Sequence, residues 1–299
     1  MMATEAARIL AQRRDRRGIL LRRAAGRVVL YLIVFVLGFI FLLPFLWMLS
    51  TSLKNDAQTY VVPPIWIPNP MRFSNYPEAL TTHPFGLYAM NTLKIAIPSV
   101  VGTVISCAVV AYGFSRFRWR LRDPLFYICL ATMMIPYQVV MIPLFITFRY
   151  LRWINTFKPL IVPAFFGSPY FIFLLRQFFM TIPQDLSDAA KIDGCNELRT
   201  MWSVILPLAK PALAVVALFT VMGAWNDYLG PLIYINDPKM FPIALGLQNM
   251  RVTFTSVKKT LVWPYLMAAS TATIAPILVL FFFTQRTFIE GIAITGIKG

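Results

Sequence analysis

Residues Ile182 to Pro211 read IPQDLSDAAKIDGCNELRTMWSVILPLAKP, a stretch with seven charged side chains between an apolar run with none, Pro159 to Leu175, and one with a single charge, Pro211 to Ile235. It is too polar to cross a bilayer and too patterned to be a loose connection. Pro183 suits an early helical position, Asp185 and Asp188 favour a helix N-terminus, and Gly194 supplies the permissive backbone that ends a helix of about ten residues. Asn196 then caps a second helix, on which Leu198, Met201, Trp202 and Ile205 recur at i, i+3, i+4 and i+7. Pro207 and Pro211 restrict its continuation. The pattern predicts a helix, turn, helix hairpin with one apolar face. Such a face fits a groove in a partner protein, and it equally fits a helix lying flat on a membrane; periodicity alone allows both.

Outward from this hairpin the chain is apolar. Its 299 residues are 58% hydrophobic and 13% charged, with mean hydropathy +0.67, against about 45–50% apolar and about 25% charged in a soluble domain. A soluble fold is excluded. Continuous runs, with no ten-residue alternation, also exclude a membrane barrel. Val28 to Leu49 is 22 residues without a charge, enough to cross about 30 Å of hydrocarbon and longer than the apolar core of a cleaved signal peptide. It reads as an uncleaved anchor and first span. Five more follow at about Lys94 to Phe114, Pro124 to Phe148, Pro159 to Leu175, Pro211 to Ile235 and Thr260 to Gln285, the fourth short and the fifth holding Asp227. The expected fold is an all-α polytopic membrane protein of six spans, with the hairpin between spans four and five and both termini on one side. Residues 1–27 form an Arg-rich tail, 28–299 the membrane domain, about 182–211 the hairpin within it, and 285–299 a C-terminal tail.

Of the 28 lysines and arginines, 18 fall on the side of the N-terminal tail and nine on the other, with Lys94 at a span edge. Positive flanks stay in the cytoplasm during insertion, so the tails and the hairpin are expected to be cytoplasmic. The formal charge of +16 therefore reads as topology signal and contact with anionic headgroups, and the arginines of RRDRRGILLRR as lipid-facing in preference to nucleic-acid-binding. Cys107, Cys129 and Cys195 have neither disulfide nor metal spacing, and His83 lies in a Pro-flanked outer loop where a surface role is expected. No G-x-x-x-x-G-K-[S/T] loop and no H-E-x-x-H pair occurs, so no catalytic, cofactor or metal residue is assigned.

The hairpin resembles the EAA signature of inner-membrane permease subunits of binding-protein-dependent ABC importers. Asp188, Ala189 and Ala190 match the triplet with aspartate for glutamate, Gly194 falls at the glycine, Val204 replaces an isoleucine, and Leu206 and Pro207 match the closing pair. TSLK at Thr51, PPIWIP at Pro63, Asn75 with Tyr76, AYGFSR at Ala111, WNDYLGPL at Trp225, and Gln285, Arg286, Gly291, Gly296, Lys298 and Gly299 extend the likeness over most of the chain. They make it similar to the sugar-type, MalG-like branch. The resemblance implies a type I importer permease fold in a bacterial or archaeal cytoplasmic membrane, half of a translocation pathway for a sugar or polyol. It implies a heterodimer with a second permease, two cytoplasmic ATPase subunits or domains that bind the ATP and magnesium, and an extracytoplasmic binding protein. It further implies an ATPase-docking role for Asp188, Ala189, Ala190, Asp193, Gly194, Leu206 and Pro207.

Asp227, an ionisable group expected inside a span, is a candidate pathway residue together with its neighbours Trp225, Asn226 and Tyr228. Aromatic faces stack on sugars, and amides or carboxylates bind hydroxyls. The competing role is an interhelical contact near Pro231. Tyr137 and Gln138 beside Pro136 raise the same two possibilities. The rival class is an ion-coupled secondary transporter or channel, for which Asp227 is the one charge well inside a span.

Overall fold

The computed structural model describes residues 2–258 and 263–296, with side chains in 25–252 and 263–285. It is all helix and loop, with no strand among the described residues. Four segments are long and apolar enough to cross a membrane directly: Ala25–Ser52, Phe85–Arg116, Lys158–Thr181 and Trp263–Gln285. Two more arise if bent pairs each count as one span, Arg122–Met134 with Tyr137–Tyr150 and Glu197–Leu208 with Lys210–Asn226. The arginines before residue 25, Lys258 and Lys259, and the C-terminal elements from Arg286 onward lie outside the described side chains.

The second span is the axis of the bundle. Expected from Lys94, it begins at Phe85, because Asn91 and Thr92, polar enough to read as loop, are buried where they hold the segment around residues 239–243. Asn91 Nδ2 donates to the Lys239 and Phe241 carbonyls at 2.8 and 3.2 Å, and Thr92 Oγ1 accepts the Ile243 amide at 2.9 Å. Along its inner face Ala96, Ser99, Gly102, Thr103, Cys107, Ala108 and Ala111 are small. Small residues let neighbouring backbones close in where hydrophobic burial gives helices no driving force to associate. At Gly102 a Cβ would come within 2.6 Å of the Phe165 ring.

That closeness makes the fourth span possible. It is not one helix: Lys158–Ile161 passes into a 3-10 turn, Val162–Phe166, then Gly167 at φ 85° before Pro169–Thr181. Irregular backbone at membrane depth needs protein partners. The second span provides them. Ser99 Oγ donates to the Leu160 carbonyl at 3.4 Å, Ser106 Oγ to the Ala164 carbonyl at 3.1 Å, and Cys107 Sγ accepts the Ser168 amide at 3.2 Å.

Two other expected spans are broken. The third turns through 96° at Ile135 and Pro136, where proline removes a donor and disfavours helix in the residue before it. The fifth, expected as one helix from Pro211 to Ile235, ends at Asn226 and restarts as Leu229–Tyr234. The first span adds little to the core: residues 25–42 are all exposed among the described residues, and it packs with the last span.

A polar cap at one end of the bundle joins two separated sequence elements. TSLK closes the first span, and Asn75 Nδ2 donates to the carbonyls of Ser52 and Lys54, both at 2.8 Å. Tyr76 hydroxyl meets Ser52 Oγ at 2.8 Å. The enclosed Lys54 ammonium sits 3.7 Å from the centre of the Trp47 ring and donates to Thr51 Oγ1 at 3.3 Å, a cation held by an aromatic face. Because Asn75 satisfies two buried carbonyls, Asn75→Ala is expected to cost about 1–3 kcal/mol. Limited proteolysis should show faster cleavage of the segment between Leu53 and Arg72, with the spans left intact.

Candidate functional site

The hairpin forms as two arms around a glycine. Gln184–Ile192 is the first arm, nine residues long. Gly194 adopts φ 80°, its amide donates to the Lys191 carbonyl at 3.0 Å, and the Cys195 amide reaches the Ala190 carbonyl at 2.9 Å. This pair of bonds satisfies the carbonyls that a helix end leaves open. Asn196 Oδ1 accepts the Arg199 amide at 2.9 Å and starts the second arm, Glu197–Thr200. A single π turn, Met201–Ile205, and Leu206–Leu208 follow. The chain then swings 81° into Lys210–Asn226.

The apolar stripe expected on the second arm divides in two. Met201 and Ile205 are buried against Cys107, Ala108 and Ala111 of the second span, whereas Leu198 and Trp202 are exposed. Among the predicted docking residues, Asp188, Ala189, Asp193, Gly194 and Pro207 lie on the outer surface. Ala190 and Leu206 instead face the bundle, so their small or apolar side chains serve packing within this chain. Asp185, Asp188, Ala189 and Ile192, spaced i, i+3, i+4 and i+7, make the outer face of the first arm, with Ile192 at 87% exposure.

Side chains that the sequence reading did not single out tie the hairpin down. Arg116, the last helical residue of the second span, donates to the carbonyls of Phe179 and Ile182 at 2.7 and 3.0 Å and to Gln184 Oε1 at 3.0 Å. Its Nε is buried with no hydrogen-bond partner among the described residues. One turn earlier, the Tyr112 hydroxyl donates to Glu197 Oε2 at 2.9 Å, and Glu197 Oε1 pairs with Lys191 Nζ at 2.7 Å. That pair holds the Lys191 ammonium above its ordinary value. The available signal was the tyrosine and arginine four apart in AYGFSR, on one helix face at the polar end of an apolar span.

The second cluster gathers around Asp227. This carboxylate is not inside a helix: it is the C-cap of Lys210–Asn226, in extended conformation, and Oδ1 accepts the Gly230 amide at 3.0 Å. A Cβ on residue 230 would lie 2.5 Å from Asp227 Oδ2 and 3.0 Å from Leu160, so the turn requires glycine there. Asp227 lines two clefts. One, of about 410 Å³, also has Tyr137, Leu160, Gly230 and Tyr234 in its wall. The other, of about 320 Å³, has Ser99, Thr103 and Thr220.

The structure thus brings Tyr137 to Asp227. The remaining candidates go elsewhere. Trp225 is buried against the last span, its Nε1 donating to the Thr273 carbonyl at 3.2 Å. Asn226 donates back to the Met222 carbonyl of its own helix at 2.8 Å, and Tyr228 and Gln138 are exposed outside both clefts. Tyr234 and the hydroxyls of Ser99, Thr103 and Thr220 were not anticipated, since isolated Ser and Thr in apolar helices carry no distinguishing sequence signal.

Residues 100–293 match the family described as binding-protein-dependent transport system inner membrane component. The chain belongs to that family. It is 32% identical, over 84% of its own length and 86% of the relative's, to the arabinooligosaccharides transport system permease protein AraQ of Halalkalibacterium halodurans. It is 29% identical to the sulfoquinovosyl glycerol transport system permease protein SmoH of Agrobacterium fabrum, covering 86% and 89% of the two chains. The sn-glycerol-3-phosphate transport system permease protein UgpE of Yersinia pestis is 31% identical, covering 80% and 85%. Among solved structures, a chain of a bacterial ABC transporter involved in import of the acidic polysaccharide alginate superposes with a TM-score of 0.77 at 24% identity, covering 87% of this chain and 95% of that one. The shared fold is that of a type I importer permease, and the family is one of inner-membrane transport components.

Asparagine at 227 keeps the oxygen that accepts the Gly230 amide and removes the charge; alanine removes both. Asp227→Asn is expected to leave the yield of detergent-stable protein within about twofold, whereas Asp227→Ala loses a cap of about 1 kcal/mol and should lower its melting temperature.

Proposed function

We propose that this chain is one of two non-identical permease subunits of an ATP-driven importer, and that it forms half of a path for a sugar or related polyol. The cargo class is supported by the relatives' names, since a sulfoquinovosyl glycerol, arabinooligosaccharides and glycerol phosphate are all hydroxyl-rich. An extracytoplasmic binding protein delivers the cargo to the outer segments, and both chain ends face the cytoplasm. Two ATPase subunits or domains bind ATP and magnesium and receive the hairpin.

The observation that carries this reading is the outer face of the first arm. It offers acids at 185 and 188, the small Ala189, the exposed Ile192 and an open Gly194 turn, where a Cβ would meet nothing within 4 Å among the described residues. That combination suits close seating in a cleft with a basic wall. Nucleotide-driven closure of the ATPases moves the hairpins and turns the cavity outward, and hydrolysis resets it. The clefts at Asp227 offer a carboxylate, phenols and hydroxyls, groups that bind polyols. An ion-coupled mechanism is less well supported: Asp227 spends an oxygen on the Gly230 amide and pairs with no cation among the described residues.

Two measurements test this. Purified from its own host, the chain should bring with it an ATPase and a second permease; transport by the reconstituted chain alone would sink the proposal. Gly194→Asn keeps a residue tolerant of positive φ and should retain the hairpin, whereas Gly194→Trp should abolish uptake and uncouple ATP hydrolysis without affecting membrane insertion, read by fractionation.

A further inference from the structure

The hairpin has three places at which it could give under load: its entry after the fourth span, the turn at Gly194, and the start of its second arm. Each is tied by a directed bond. At the entry, the Arg116 guanidinium takes the Phe179 and Ile182 carbonyls and the Gln184 amide oxygen, where the fourth-span helix ends and the Phe179 carbonyl also accepts the Ile182 amide. Across the turn, Lys191 and Glu197 join one arm to the other. At the second arm, Tyr112 holds the other oxygen of Glu197. Tyr112 and Arg116 stand one turn apart on the same helix, so both tethers end on the cytoplasmic tip of the second span.

We propose that Tyr112 and Arg116 are positioning residues that lock the hairpin to the second span, so that the two move as one body during transport. This rests on the reading that the hairpin receives the ATPase stroke, and it names the element to which that stroke passes. The Lys191–Glu197 pair is 46% and 39% exposed, and such a pair alone contributes little. What it adds here is direction. Glu197 is fixed between a phenol from the second span and an ammonium from the first arm, so neither arm can rotate without losing a charge-assisted bond. Met201 and Ile205 pack on the same span through apolar contact, which resists separation but permits sliding. The polar tethers oppose the sliding.

The test uses the full complex with its ATPases and second permease, with the three native cysteines replaced. Spin labels go on Arg118→Cys, two residues beyond the end of the second span, and Leu198→Cys on the exposed side of the second arm. Pulsed dipolar spectroscopy with and without ATP and vanadate should give one narrow distance, constant within about the 1.5 Å rise of one helical residue. Tyr112→Phe removes a single hydrogen bond, and Glu197→Gln removes the charge that both Tyr112 and Lys191 bond; each leaves the apolar packing in place. Each should broaden the distribution and lower cargo-stimulated ATP hydrolysis by roughly tenfold, the size expected for a hydrogen bond to a charged group. The exchange Lys191→Glu with Glu197→Lys restores the pair with a group that can still bond Tyr112, and should restore the narrow distance. A wild-type distance that shifts with nucleotide, or variants with unaltered distances, would overturn the proposal. Failure of the ATPase to co-purify would instead sink the docking reading, with the distances in the remaining complex still reporting on the lock.

Discussion

Every backbone amide and carbonyl inside hydrocarbon needs a partner in the protein, and this chain breaks its helices repeatedly where that need is most severe. The second span resolves the conflict. Its line of serine, threonine, glycine, alanine and cysteine lets the 3-10 stretch of the fourth span approach closely enough for Ser99, Ser106 and Cys107 to bond the interrupted backbone. A second span rich in leucine would hold the neighbour at a distance and leave those groups bare. The broken fourth span, the cleft it borders and the seating of the hairpin at the far end of the same helix all follow from that one face.

The two candidate regions differ in how they are built. The hairpin is a self-closed unit: its turn satisfies its own carbonyls, its arms are joined by an ion pair, and only its outer face remains free. The Asp227 region is assembled from four separated pieces of chain, with the carboxylate acting as the cap of a helix restart. A residue that fixes a turn and also lines two clefts has little freedom to be replaced, since geometry and lining depend on the same oxygen atoms.

The hairpin was legible because its signals are local. Acids near the start of the first arm, a glycine at its end and asparagine before the second arm each act within one turn of helix. The first and last spans were legible because their apolar runs are continuous. The early start of the second span was not, because Asn91 and Thr92 read as loop until the carbonyls at 239 and 241 and the amide at 243 come to meet them. The break at Ile135 and Pro136 is hidden because apolar residues continue on both sides, and a proline within a span is consistent with either a kink or a full turn. Asp227 looked helical because the apolar count ran through it; the break there, with its bond to the Gly230 amide, depends on backbone angles that composition does not encode. Tyr112 and Arg116 find their partners 85 and 63 to 68 residues away, beyond the reach of any periodicity.

The first span has a further implication. From residue 25 to 42 its side chains all stay exposed among the described residues, yet in a bilayer this carries almost no penalty, since acyl tails solvate leucine and phenylalanine as well as another helix would. A newly made copy can therefore wait in the membrane without misfolding, and joining its neighbours releases lipid with little net gain from greasiness. Fit and directional contacts must decide which neighbour is accepted. The vulnerable moment is extraction into detergent, when this lone helix loses its solvent.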